Sequence, residues 1–220
     1  MATAPRAVLF DFDGVIADSY PLHEACWRDV LGKHKLGLPD GAMARAMGLT
    51  AEQSAQLLID ECKASLSAHE LAATKEKLFA KRAPKELKMM NGADNALVRM
   101  RTDFIVGITS LQRREVVTGA LKSFGLAEVP ETLVTLDDVT GADSIDVLLV
   151  AAAKQLRVPV GRCAMVDDAR NALIAAKRVE MNTIAFDSNP KHDIDYSMAD
   201  AVVTTLDEVV PELVNQVIVT

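Results

Sequence analysis

Two aspartates in Phe10-Asp11-Phe12-Asp13-Gly14 stand at the end of the apolar run Ala7-Val8-Leu9-Phe10. Four apolar residues bounded by turn chemistry read as a strand buried on both faces, and carboxylates at its exit fall in the crevice where open α/β sheets bind ligands. Spaced two apart on extended backbone, Asp11 and Asp13 can address one pocket. At neutral pH their charges repel. A divalent cation with oxygen ligands, magnesium by default, relieves that repulsion. In a chain with 31 acidic residues and 11 glycines the pattern Asp-x-Asp-Gly is weak by itself. Its place directly after a buried strand makes it a candidate for chemistry.

Two further apolar runs finish on polar groups. Phe104-Ile105-Val106-Gly107-Ile108 leads into Thr109 and Ser110, and Cys163-Ala164-Met165-Val166 leads into Asp167 and Asp168. Taken singly, each pair would serve equally well as a helix cap or turn. Together, a carboxylate pair, a second acidic pair and a hydroxyl at one sheet edge are what metal-assisted phosphoryl transfer requires. His23 and Trp27, four apart, share one helix face and either line a pocket or pack a core; the indole reads as core.

The elements that must position these groups follow from periodicity. Strands are expected near residues 104–109, 133–136, 163–166, 183–186 and 201–204, alternating with helices near 93–101, 113–124, 144–156 and 169–179 and followed by a last amphipathic segment. Such alternation means a parallel sheet covered on both faces, to which the first strand also belongs. Between residues 18 and 90 no strand is expected. Helix signals follow one another there instead: Pro21 opening a helix to about residue 35, capping boxes at Thr50-x-x-Gln53 and Ser67-x-x-Glu70, and Pro84 ending the run. The fold class expected is α/β, a Rossmann-like parallel core formed by residues 1–17 and 91–220 with an all-helical cap domain, residues 18–90, inserted after the first strand. Such a cap can close over the pocket and exclude water.

Composition narrows the function classes. The net charge is −7 and no Lys/Arg-rich run occurs, which argues against a nucleic-acid partner. Cys26, Cys62 and Cys163 have neither metal-ligand spacing nor short-range pairing, fitting a reducing compartment. No run reaches the length of a membrane helix and residues 1–6 lack a secretory signal's apolar core, so a cytoplasmic protein without membrane partners is expected, as monomer or small homo-oligomer.

The order and spacing of these motifs resemble the haloacid dehalogenase superfamily over nearly the whole chain. Asp11-x-Asp13-Gly14 looks like its first motif, Thr109 its second and Asp167-Asp168 its fourth. Leu22-His23-Glu24-Ala25-Cys26-Trp27 and Ala175-Ala176-Lys177 look like the branch containing β-phosphoglucomutase and small sugar-phosphate phosphatases. The resemblance implies Asp11 as nucleophile, Asp13 as general acid and base, and Thr109 bonded to the phosphoryl group. It implies Mg2+ held by Asp11, the backbone carbonyl of Asp13, and Asp168 with Asp167. Gly14, His23 and Ser110 complete the candidate site as substrate contacts, for a small phosphorylated metabolite. Three departures stand out. Ala142 occupies the place of the lysine expected in the third motif; the mutase's cap arginine falls at Ala51, and its Lys-Asn pair at Gln112-Arg113. A phosphatase is therefore expected over a phosphomutase, with impaired turnover or simple binding of a phosphorylated ligand as the alternative.

Overall fold

The computed structural model describes residues 5–139, 145–188 and 194–218; Ala142 lies outside them. Six strands, β1 (Ala7–Asp11), β4 (Ile105–Ser110), β5 (Thr132–Thr135), β6 (Cys163–Asp167), β7 (Asn182–Phe186) and β8 (Ala201–Val203), form one parallel sheet in the order β5-β4-β1-β6-β7-β8. β1 is a central strand, and its alternation is apolar on both faces. Val8 and Phe10 pack with α5 (Ala93–Met100), α6 (Arg114–Ser123) and α9 (Pro211–Val217), while Ala7 and Leu9 pack with α7 (Ile145–Leu156) and α8 (Arg170–Arg178). This two-sided burial is why the strand reads as a continuous apolar run. Register sets Asp11 opposite Thr109 of β4, and Phe10 opposite Val166 of β6. The three polar strand ends therefore meet at one sheet edge.

Residues between β1 and α5 are mainly helical: α1 (Tyr20–Lys33), α2 (Ala42–Arg45), α3 (Ala51–Glu61) and α4 (Ala68–Glu86). Trp27, Val30 and Leu31 of α1 pack on Leu58 of α3 and Leu71 of α4 in a cluster separate from those of the sheet. Thr50 and Gln53 make both bonds of a capping box at the start of α3. At the start of α4 the Ser67 hydroxyl accepts from the Glu70 N–H, without a return bond from Glu70 among the described contacts.

Two expectations are corrected. Pro84 does not end the helical run, because α4 continues to Glu86. Proline forfeits one amide bond, but the Leu87 N–H reaches the Ala83 carbonyl at 3.0 Å and Arg82 pairs with Glu86 at 2.7 Å across the proline, so the last turn survives. Nor is the stretch from 18 to 90 free of strand: β2 (Ala17–Asp18) pairs antiparallel with β3 (Lys88–Met89), tying the two connections together. Each strand is two residues long, too short for any periodicity to show.

Candidate active site

β1 delivers Asp11 to the sheet edge and β6 delivers Asp167, with Asp168 next in the chain. Each of the three offers a carboxylate oxygen within 4.8 Å of the others'. Asp167 and Asp168 are buried. One Asp167 oxygen accepts the Ala169 N–H at 2.8 Å. Asp168 accepts from the Tyr20 hydroxyl at 3.3 Å on Oδ1, while its carbonyl accepts from the Tyr196 hydroxyl at 2.6 Å. The remaining oxygen, Asp168 Oδ2, is buried without a hydrogen-bond partner. Leaving such an atom unsatisfied is costly, and three converging carboxylates multiply the cost. Burial first, and then the charge of Asp167, push both Asp11 and Asp168 well above the usual carboxylate range, and burial raises Asp167 to about 7. An orphaned oxygen in a cluster of hard anionic donors fits a divalent cation.

Asp13 faces elsewhere. Its Oδ1 lies 3.1 Å from His23 Nε2, and its Oδ2 accepts from the Ser110 hydroxyl at 3.4 Å. Burial alone would raise Asp13, but the hydrogen bond and charge of His23 outweigh it and hold the carboxyl below its ordinary value. His23 is stacked on Phe79, with ring centres 4.2 Å apart, and its Nε2 also lies 3.1 Å from the Gln112 amide nitrogen. Ser110 accepts the Gln112 N–H at 3.0 Å, so Asp13, Ser110, Gln112 and His23 form one connected set. Gly14 has φ +80°, and a Cβ there would stand 2.1 Å from Asp168 Oδ2. Its lack of a side chain makes room for the acidic cluster.

A cavity of about 80 Å3 lies between the helical segment and the sheet edge, lined by Asp11, Asp13, Asp167, Thr109, Ser110 and His23 among others. Asp168 and Gly14 stand behind that surface. Among the described residues Thr109 Oγ1 has only the Met165 sulfur, at 3.9 Å, as a partner. Trp27 belongs to the core of the helical segment and also borders the cavity.

Sequence reasoning missed three residues here. Lys75 of α4 lines the cavity although it is 3 % exposed. Its Nζ sits 4.9 Å from the Phe79 ring centre and 5.5 Å from that of Trp27, and burial lowers its pKa to about 8. The signal was present: Leu71, Ala72, Lys75, Phe79 and Ala83 are the buried face of α4, so a lysine interrupts an apolar stripe. Tyr20 and Gln112 carry no comparable sequence signal, since each acts through a partner distant in the chain.

The family profile described as haloacid dehalogenase-like hydrolase matches residues 8–186. The chain is 29% identical over 181 residues to YhcW of Bacillus subtilis, covering 81% of this chain and 82% of that protein. It is 26% identical over 180 residues to YqaB of Escherichia coli, named a fructose-1-phosphate phosphatase, covering 80% of this chain and 94% of that one. Among solved structures, a β-phosphoglucomutase from Clostridium difficile superposes with a TM-score of 0.81 at 16% identity, covering 97% of both chains.

Proposed function

The chain belongs to the haloacid dehalogenase-like hydrolase family, and from that premise we propose that it is a magnesium-dependent phosphatase acting on a small phosphorylated metabolite through an aspartyl-phosphate at Asp11. The observation that carries this reading is the partnerless Asp168 Oδ2 within the cluster of Asp11, Asp167 and Asp168. Mg2+ would be held by these three carboxylates and would supply neutralisation of charge between nucleophile and phosphate.

The residues divide the remaining work. An Asp11 oxygen attacks phosphorus, the ester bond to the leaving alcohol breaks, and Asp13 gives that oxygen a proton. Asp13 then takes a proton from water as it attacks the acyl phosphate, so inorganic phosphate leaves and the Asp11 carboxylate is regenerated. In the resting site His23 holds Asp13 ionised. A phosphoryl group beside it adds like charge, raises its pKa and lets the proton arrive with the substrate. Thr109, lacking an oxygen or nitrogen partner among the described residues, is free to donate to the phosphoryl group. Lys75 presents an ammonium to the same cavity.

Hydrolysis is favoured over phosphoryl return to a sugar because the described residues lining the cavity offer no second anion anchor. Ala51 stands where the mutase has arginine, Arg113 is paired with Asp137 at 2.9 Å and Glu76 at 3.6 Å, and Gln112 is turned to His23. Ala142 in place of the third-motif lysine predicts turnover slowed by about a hundred-fold relative to a site with that cation. The test is phosphate release from phosphorylated metabolites with and without Mg2+. Asp11→Asn is expected to abolish release, and Asp13→Asn to slow it by at least about 10²-fold. Metal-independent release, or full activity in Asp11→Asn, would refute the assignment.

A further inference from the structure

We infer that the preferred substrate is a monophosphate ester of a small, uncharged alcohol with an apolar body, an inference that rests on the phosphatase reading above. Much of the cavity lining is apolar, with Met43, Met47 and Leu49 from the helical segment and Leu111, Ile145 and Leu148 from the core. Leu49 is the informative member. It is half-buried on the cavity and belongs to none of the buried apolar clusters among the described residues. Met47, by contrast, is fixed against Ala169 and Ala172.

Charge points the same way. The described lining carries four carboxylates, Asp11, Asp13, Asp167 and Glu76, against the single ammonium of Lys75. That ammonium and a cation on the acidic cluster are needed for one phosphoryl group. A second anionic group on the substrate would meet Glu76 and an apolar wall, with Arg113 already paired. A polyol would also fare poorly, because each hydroxyl buried against these apolar side chains would give up water bonds without replacement. Size sets the last limit. A cavity of about 80 Å3 favours an alcohol with few heavy atoms beyond the phosphoryl group.

The test compares kcat/KM of the full chain with Mg2+ on propyl phosphate, fructose 1-phosphate, fructose 1,6-bisphosphate and phosphoglycolate, with p-nitrophenyl phosphate as a generic ester. Propyl phosphate is expected to exceed the bisphosphate and phosphoglycolate by at least about 10-fold, within the range one apolar contact can discriminate. Leu49→Ala should lower kcat/KM for propyl phosphate by about 10-fold and narrow its preference over phosphoglycolate. Leu49→Arg, its fold checked by circular dichroism, should reverse the preference between the two. A parent enzyme that prefers the bisphosphate or phosphoglycolate, or a Leu49→Ala variant indistinguishable from the parent on propyl phosphate, overturns the inference and leaves the phosphatase reading standing. Release from none of the five esters overturns both.

Discussion

Lys75 is costly to bury. Its folded pKa of about 8 lies below the ordinary 10.5 because burial disfavours the ammonium. Between those values the unfolded chain binds a proton that the folded chain has released, so this group's contribution makes stability rise with pH across that window. The parent is expected to gain on the order of 3 kcal/mol relative to Lys75→Met between pH 8 and 10.5. Denaturant titrations at a series of pH values measure the difference, and parallel curves would refute it. Asp168→Ala removes the carboxylate that holds the partnerless oxygen. If Asp168 is a direct ligand, Mg2+ affinity should fall by at least about 10-fold in a calorimetric titration, and an unchanged affinity would exclude it. At this scale Asp11, Asp13, Thr109, Ser110, Asp167 and Asp168 were legible as a set because each is announced by the apolar strand before it. Tyr20 and Gln112 were not, since what they do depends on Asp168 and His23, which the fold alone brings near.

Segment 46–49 shows how closely the helical layer approaches the core. Gly48 has φ +69°, and a Cβ there would stand 3.0 Å from the Ala169 Cβ at the start of α8. The Met47 carbonyl accepts from the Asn171 side chain at 3.4 Å beside it. Gly48→Val combines a left-handed backbone penalty of about 1 kcal/mol or more with a steric block, holding the segment off α8. Its KM for a phosphate ester is expected to rise by about 10-fold, consistent with a wall that no longer closes. Steady-state kinetics decides, and an unchanged KM would mean that this contact does not shape the cavity. The helices were legible through their caps and periodicity, most clearly at Thr50 and Gln53. The β2–β3 pair was not, because four residues in two pairs across the segment leave no local pattern. Pro84 misled for a related reason: its cost is local, whereas the support that outweighs it comes from Arg82, Ala83, Glu86 and Leu87 around it.

The acidic cluster couples the stability of the whole protein to metal and pH. Without a cation, Asp11 and Asp168 are raised and Asp167 stands at about 7 against an ordinary value of 3.8. A carboxyl whose folded pKa is raised contributes stability below its unfolded value and loses it as pH climbs through the folded one. The metal-free protein should therefore lose stability between about pH 4 and 7 on account of Asp167, with Asp11 and Asp168 acting in the same direction. Added Mg2+ should reverse that loss by about 2.7 kcal/mol at a hundred times Kd, raising Tm at pH 7 and scarcely at pH 4. Thermal melts with and without metal test this, and equal gains at both pH values would count against a carboxylate site. The parallel sheet was legible from the alternation of strand and helix, but its order β5-β4-β1-β6-β7-β8 was not, because pairing partners are chosen by the assembled core. The pairing of Ala17 with Met89 and Asp18 with Lys88 has a further consequence. The chain leaves the α/β layers and rejoins them at one spot, so from their side everything between is a single closed loop. A loop whose ends already meet can be lengthened at slight entropic cost, since each doubling adds only about 0.6 kcal/mol. Evolution, or an engineer, could exchange this loop for another helical bundle while the strand ends that carry Asp11, Thr109 and Asp167 stay in place.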